Sequence, residues 1–445
     1  MKLLEPVKVG TISLRNRMVM SPMLTCLAAS DGSVTQEMIK YYSERARGGI
    51  GAIITEYSYI DKKESQARGH QLGVYSDHLI PGLSKLAEII KDSGAATILQ
   101  ICHAGRQTSQ ALIGRQAVAP SAVPNFDEMP RELTLAEIKE IQKAFAEAAL
   151  RAKNAGFDGV EIHGANGYLL SQFLSPYTNR RTDKYGGDLN SRALFASETI
   201  GKIREKVGNQ FTVGYRMNGA DYIPSGIAPN EASGFGKMLE NAGVDYIHVS
   251  AGIQESWHYV VQPMYLEKAC LVHIADRVKK VVRIPVITVG SHDVQTAEKA
   301  LREGKADLVA FGRALIADPE LPKKLVSRKI EDIRPCIRGN EGCVSNTIID
   351  RAIRCEVNPA AGREAEFKIV PAASKKSIVV VGGGIAGMEA ARLAGFPVIY
   401  PHVAPKQSYD AGRLAEKVPA IMQISEKGYE FVSEVAPVKG DIPIP

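Results

Sequence analysis

The run His163-Gly-Ala-Asn166-Gly-Tyr168 gathers an imidazole, a carboxamide and a phenol within six residues. Two hydrogen-bond donors and a phenolic acid leaving one point of the chain suit an oxyanion that is held while a neighbouring carbon takes a proton. A lone histidine is more often a satisfied core residue; its two neighbours favour chemistry here. Arg216 adds a fixed positive charge, with a salt bridge to a barrel carboxylate as the plainer reading. A second set pairs Gly290 with Ser291 and Gly312 with Arg313. Glycines admit backbone N–H groups to phosphate oxygens, and an arginine adds a bidentate charge, so this set reads as a cradle for a phosphorylated cofactor. The alternative is that these glycines only close tight turns. A third set lies in RPCIRGNEGC (334–343) and just beyond it: Cys336, Cys343 and Cys355 are half of the six cysteines in the chain. Such clustering in a cysteine-poor chain favours metal or redox use over bridging.

These residues need elements to place them. Eight short β-rich runs end in polar or glycine residues: 17–23, 50–57, 97–103, 159–164, 211–218, 246–252, 285–291 and 308–314. Helical patterns separate them, the clearest at 133–156, 189–208 and 230–243. The first opens on a capping-box signature, Thr134 to Glu137, and all three stop at glycine. Eight βα units in regular rhythm predict an α/β fold of the (β/α)8, or TIM, barrel type, in preference to a doubly wound open sheet. In such a barrel the chemistry sits at the C-terminal strand ends, where all three candidate sets fall or follow.

The texture changes after Pro335. The expected organisation is a barrel over 1–330, a cysteine-bearing segment over 331–370, and a partial Rossmann-like remnant over 371–445. In the last, Gly382, Gly384 and Gly387 take GxGxxG positions between an apolar run and a helical pattern. Its second apolar run, FPVIYPH, ends in Tyr400-Pro401, where an acidic residue would grip a ribose hydroxyl, and a complete nucleotide domain needs roughly 100 residues or more. A working second site, for FAD or a nicotinamide, is therefore not expected there.

Composition sets outer limits. Hydrophobic content of 45%, charge of 23% and a net charge of +6 are ordinary for a globular chain. No basic run suggests nucleic acid, and no apolar run approaches the roughly 18 residues that span a bilayer. MKLLEPVKVG lacks the apolar core of a signal peptide, so the expected location is cytoplasmic and no membrane partner is expected. Self-association is left open.

LRNRMVMSPM, ITEY, LQICHAGRQ, VEIHGANGYLLSQFLSPYTNRRTDKYGGDLNSR, ITVGS and AFGRALIADP occur in order. Together they resemble the Old Yellow Enzyme family of FMN-dependent ene-reductases. The cysteines and the glycine-rich tail resemble its larger branch, which holds 2,4-dienoyl-CoA reductase, enoate reductases and trimethylamine dehydrogenase. The resemblance implies FMN across the barrel mouth and NAD(P)H as electron donor. Ser21, Pro22 and Met23 would line the flavin ring, with Thr25 (or Leu24) near its C4 oxygen and N5. Tyr57 would contribute backbone and Gln100 would bond the pyrimidine edge. Arg216 would face the N1 side, and Gly290, Ser291, Gly312 and Arg313 would hold the phosphate. His163 and Asn166 would take the substrate carbonyl oxygen, and Tyr168 would protonate the α-carbon.

The same branch carries four cluster-ligating cysteines spaced C-x2-C-x3-C-x11-C. This chain keeps that frame with Cys336, Cys343 and Cys355, but the second ligand position is Gly339. Three thiolates with a labile fourth ligand, a three-iron cluster and inert remnant cysteines all stay open. Both ends of the family's internal electron relay look damaged, so the expectation is a barrel that takes hydride directly from NAD(P)H and reduces an activated C=C bond. Amine oxidation of the trimethylamine dehydrogenase type, and a non-catalytic flavoprotein without electron input, are the alternatives. The only tryptophan, in QESWHY (254–259), is equally readable as pocket or packing.

Overall fold

The computed structural model describes residues 1–367; the glycine-rich motif at 382–387 and the segment expected over 371–445 lie outside the described residues. Eight parallel strands close into a barrel: β1 (Met18–Met20), β2 (Ala52–Tyr59), β3 (Ala96–Cys102), β4 (Gly159–Gly164), β5 (Thr212–Asn218), β6 (Tyr246–Ser250), β7 (Val286–Thr288) and β8 (Leu308–Phe311). Strand β8 pairs back onto β1 through Val309–Met18 and Phe311–Met20, which closes the cylinder and excludes the open sheet. Each strand overlaps one of the eight β-rich runs.

Helices α1 (Gln36–Arg47), α2 (Ile80–Asp92), α3 (Leu135–Asn154), α4 (Leu189–Val207), α5 (Glu231–Ala242), α6 (Val272–Lys279) and α7 (Val294–Arg302) surround the strands. Local chemistry fixes where several of them begin. Thr134 and Glu137 form the expected capping box on α3: Glu137 accepts the Thr134 N–H at 2.9 Å and its own N–H reaches the Thr134 hydroxyl at 3.3 Å. Asp188 accepts the Ser191 N–H at 2.8 Å and starts α4 in the same way. No helix among the described residues is long and apolar enough to cross a membrane.

The apolar side chains form two layers. The larger lies between strands and helices. The smaller, including Val19, Ile54, Ile98, Tyr246, Ile287 and Leu308, fills the barrel itself and is closed by an antiparallel hairpin, Val7–Val9 with Ile12–Leu14. Side chains alternate along a strand, so Gly214 and Arg216 of β5 share the inner face. Tyr246 stands opposite Gly214 in register. A Cβ at Gly214 would run into the Tyr246 ring, so this glycine makes room for a tyrosine in the barrel floor. The floor supports the polar residues above it.

The segment after residue 330 packs into the core that the barrel shares with its helices. Cys343, Ile353 and Ala361 belong to the larger apolar layer. The Ile353 N–H donates to the Thr25 carbonyl at 2.9 Å, and Asn358 donates to the Ile316 carbonyl at 2.7 Å. Arg45, fully buried in α1, pairs with Glu364 at 2.7 Å.

Gly214→Ala is expected to lower unfolding stability by about 3 kcal/mol, because a methyl group overfills the barrel floor. A urea unfolding midpoint equal to that of the parent would show that the floor has slack.

Candidate active site

A cavity of about 300 Å³ opens at the C-terminal ends of the strands. Strand β4 delivers His163 to it, 2% exposed. Two successive left-handed residues, Asn166 (φ +57°) and Gly167 (φ +79°), then turn the chain. The turn is pinned from both sides: Gln107 donates to the Asn166 carbonyl at 2.6 Å, and Gln172 donates to the Gly167 carbonyl at 2.7 Å. Tyr168 emerges from the turn at the start of a short helix, Leu169–Leu174, and lines the cavity.

Three rings meet there. His163 and Tyr168 have centroids 4.8 Å apart, Tyr57 and Tyr168 5.1 Å, and Tyr57 and His163 5.9 Å. Tyr57, expected to contribute backbone, also brings its side chain into the cavity wall, with its ring beside that of Tyr168. Burial pushes the Tyr168 hydroxyl up to about 12, with Cys102 adding to the rise. Tyr57 and the charges of Arg68 and Arg216 act against it. Burial, reinforced by Arg216 and His248, holds His163 well below the usual histidine range, so its imidazole is neutral. Its Nδ1 has no partner among the described residues.

Asn166, read from the sequence as the second donor, is at the cavity, but its amide hydrogens go elsewhere. They reach the Ser250 hydroxyl at 3.2 Å and the Ala251 carbonyl at 3.1 Å. The donor free to meet a ligand oxygen is His163.

Beneath the mouth lies a buried polar layer. Glu161 accepts from Gln100 at 2.7 Å and stands 3.1 Å from Nδ1 of His248. Arg216, one step further along the barrel, donates to the Ser250 hydroxyl at 3.3 Å and leaves Nε without a partner. Desolvation lowers its pKa, and the charge of Glu161 works the other way. The salt bridge that was the plainer reading of Arg216 is thus a facing charge and not a close ion pair. Gln100 is fully buried in this layer with its Oε1 unpartnered. Glu161 and His248 carried no role in the sequence reading; their only signal was an inward position on strands.

Ser21, Pro22 and Met23 line the cavity as expected. Of the pair Thr25 and Leu24, Leu24 lines it. Thr25 is fully buried, and both its N–H and its hydroxyl donate to Glu56. Burial raises the Glu56 carboxyl to about 7 against these hydrogen bonds. Trp257 is a pocket residue.

At the opposite end, β7 and β8 bring the expected cradle together. Gly290 holds φ +129° and Ser291 φ +54°. Arg313 donates to the Ser291 hydroxyl and, at 2.6 Å, to Asn340 Oδ1. A Cβ at Gly312 would come within 3.0 Å of the Met23 sulfur, so glycine keeps this approach open.

The cysteine segment forms part of the same wall, through Cys336 and Cys343. Burial pushes the Cys343 thiol up to about 11 and raises that of Cys355. The Arg338 N–H points at the Cys336 sulfur, 3.4 Å away. A Cβ at Gly339 would lie 3.5 Å from Glu356 Oε1, which accepts the Gly342 N–H at 2.8 Å. Among the described residues no three or more His, Cys, Asp or Glu side chains converge on one metal ion. The loop therefore supplies three sulfurs and, at the fourth position, open contact with a carboxylate. These residues do not make up a complete four-thiolate cluster site.

Known proteins share this architecture. The sequence profile described as the NADH:flavin oxidoreductase / NADH oxidase family matches residues 2–332. An NADH oxidase of Thermoanaerobacter brockii is 47% identical over 390 residues, which is 86% of this chain and 60% of that protein. The structure of a 2-naphthoyl-CoA reductase in complex with 2-naphthoyl-CoA superposes with a TM-score of 0.85 at 35% identity, covering 88% of this chain and 62% of that one. The Old Yellow Enzyme homologue of Zymomonas mobilis gives a TM-score of 0.66 at 28% identity, covering 74% of this chain and 93% of that one. This chain thus spans about three-fifths of the length of the first two relatives.

A Cβ at Gly339 meets nothing closer than ordinary contact, so a side chain can start there. Gly339→Cys protein treated with iron and sulfide under anoxic conditions is expected to retain more iron per chain than the parent. Equal iron in the two proteins would show that the loop does not assemble around a cluster.

Proposed function

The chain belongs to the NADH:flavin oxidoreductase / NADH oxidase family, and on that premise we propose an FMN-dependent ene-reductase that reduces the activated C=C bond of an α,β-unsaturated carbonyl compound. The observation that carries the reading is the cluster of His163, Tyr168 and Tyr57: a neutral donor and a protonated phenol side by side at the barrel mouth.

The residues fit FMN. Glycine at 312 and the Ser291–Arg313 pair suit a phosphate at one end of the cavity. Ser21, Pro22, Met23 and Leu24 offer a wall for a flat ring. The unpartnered Oε1 of Gln100 and Nε of Arg216 supply an acceptor and a charged donor for the ring's polar edge. When bound, FMN would take two electrons as hydride from NAD(P)H and pass them to the β-carbon of the substrate. The match of this barrel to 93% of a stand-alone Old Yellow Enzyme homologue supports direct use of NAD(P)H without a relay.

The chain's own residues account for the rest. His163 hydrogen-bonds the carbonyl oxygen and draws charge towards it. Its neutrality makes it a donor that does not lose a proton in the step. Asn166 holds the turn in place through Ser250 and Ala251. Tyr168 gives its proton to the α-carbon. The Tyr57 hydroxyl, in the same wall, then stabilises the phenolate that is left.

Amine oxidation has one observation in its favour, since Tyr57, Tyr168 and Trp257 give the cavity an aromatic surface. Arg68 and Arg216 in the same wall repel a cationic amine and weigh against it.

Tyr168→Phe is expected to slow substrate-dependent reoxidation about 100-fold or more. Rapid-mixing spectroscopy of prereduced protein with an enone checks this, and parent-like rates would remove Tyr168 from the proton step. Because His163 is neutral well below the usual range and Tyr168 stays protonated to about 12, the same rate should be level from pH 6 to 8. A break near 6.5 that disappears in His163→Asn protein would show that His163 titrates during catalysis.

A further inference from the structure

The segment that carries Tyr168 is held at both ends from one place. Ahead of Tyr168, the Asn166 N–H donates to Oδ1 of Asn218 at 3.3 Å. Behind it, Ser175 closes the short helix Leu169–Leu174. Both lead to Asp221, in the loop between β5 and α5. Asp221 Oδ1 accepts from the Asn218 amide at 2.5 Å. Its Oδ2 accepts the Ser175 hydroxyl at 2.5 Å and the Ile227 N–H at 2.8 Å. The Asp221 carbonyl accepts the Ser256 hydroxyl at 2.5 Å, one residue before Trp257 of the cavity wall. Asp221 and Asn218 are fully buried, and Ser175 and Ser256 are buried as well.

Asp221 does not line the cavity, so it touches neither substrate nor cofactor. Burial raises its carboxyl to about 6, against the bonds from Ser175, Ile227 and Asn218. The charge of Glu255 adds to that rise, and Glu255 is itself paired with Arg106 at 2.6 Å. A carboxylate in such a place depends on the number and direction of the hydrogen bonds it accepts.

We propose that Asp221 is a positioning residue for the proton step: through Asn218 and Ser175 it holds both ends of the segment that presents Tyr168 to the cavity. This rests on the ene-reductase reading in taking Tyr168 as the proton donor. The bonds form a chain with one polarity. An ionised carboxylate only accepts, so it takes the amide N–H of Asn218 and leaves the Asn218 carbonyl oxygen free for the Asn166 N–H. Replacing Asp221 by asparagine breaks the chain at a distance. Two donors, from Ser175 and Ile227, keep the new carbonyl oxygen on their side, and the new NH2 group turns to Asn218. The Asn218 amide then reverses to accept it, and its own NH2 group meets the Asn166 N–H, donor against donor. A carboxylate at position 218 would accept from both neighbours and restore the chain, giving up only the 3.3 Å bond from Asn218 to the Ala220 carbonyl. The pair of substitutions thus exchanges the two side chains and keeps the hold on Asn166.

The test uses the full chain loaded with FMN, at about pH 8, where Asp221 is ionised. Parent, Asp221→Asn and the double variant Asp221→Asn/Asn218→Asp are compared. Flavin reduction by NADH, reoxidation of the reduced flavin by 2-cyclohexenone, and amide hydrogen exchange across residues 165–175 are each measured. In Asp221→Asn, reoxidation is expected to slow about tenfold or more, the cost of a misaimed proton donor. Reduction by NADH needs no proton from Tyr168 and should stay within about twofold. Exchange across 165–175 should speed up, because the Asn166 N–H has lost its acceptor. The double variant should return reoxidation and exchange towards the parent. If the parent does not reduce the enone, yet exchange rises in Asp221→Asn and falls back in the double variant, the hold on the segment stands and the ene-reductase reading fails. Parent-like reoxidation and exchange in Asp221→Asn overturn the proposal. So does equal slowing of both half-reactions, or a double variant as impaired as the single one; either assigns Asp221 to the stability of the fold alone. Should Asp221→Asn not fold, Ser175→Ala, which frees one end of the segment, decides: parent rates of reoxidation and exchange overturn the proposal.

Discussion

A carboxylate buried at the centre of the barrel, Glu161, constrains the layers above it. A desolvated charge survives only with hydrogen bonds and a countercharge. Gln100 and His248 supply the hydrogen-bonding contacts, and Arg216 faces the charge from the next strand. This layer rests on the apolar floor that Tyr246 completes. Because inward side chains recur every second residue, the layer also fixes the register of the mouth: His163 stands two residues beyond Glu161 on β4, and Ser250 two beyond His248 on β6. The histidine that faces the cavity and the serine that holds the Asn166 amide are thus placed by the layer beneath them. Arg216 in turn helps to keep His163 neutral. One buried charge pattern therefore governs both the geometry and the protonation of the mouth.

Much of this was legible in the sequence. The β-rich runs alternate with long amphipathic patterns, and the cap at Thr134–Glu137 is a short-range signal that depends on nothing distant. Barrel closure follows from the number of units. The family motifs placed His163, Tyr168, Ser291 and Arg313 at the ends of their strands, where they are found.

The residues that escaped reading did so for identifiable reasons. Strand β2 changes register between Thr55 and Ser58, so an alternating pattern carried through that point misplaces the residues beyond it. Tyr57 lies at that shift, and its side chain lines the cavity. The choice between Leu24 and Thr25 turns on a buried acceptor 31 residues away, Glu56. The direction of the Asn166 amide depends on Ser250 and Ala251, more than 80 residues on. Asp221 sits in a loop with no periodicity, where only the folded chain shows that it reaches Asn218 and Ser175.

The hydrogen bond from Arg313 to Asn340 joins the cradle at β8 to the loop that holds Cys336, Gly339 and Cys343. Where two sites share a bonded pair, any coupling of their ligands is reciprocal. Gly339 thus lies one residue from a contact with the cradle's arginine. Through that contact the cysteine loop braces the opposite wall of the cavity, whatever its thiols bind.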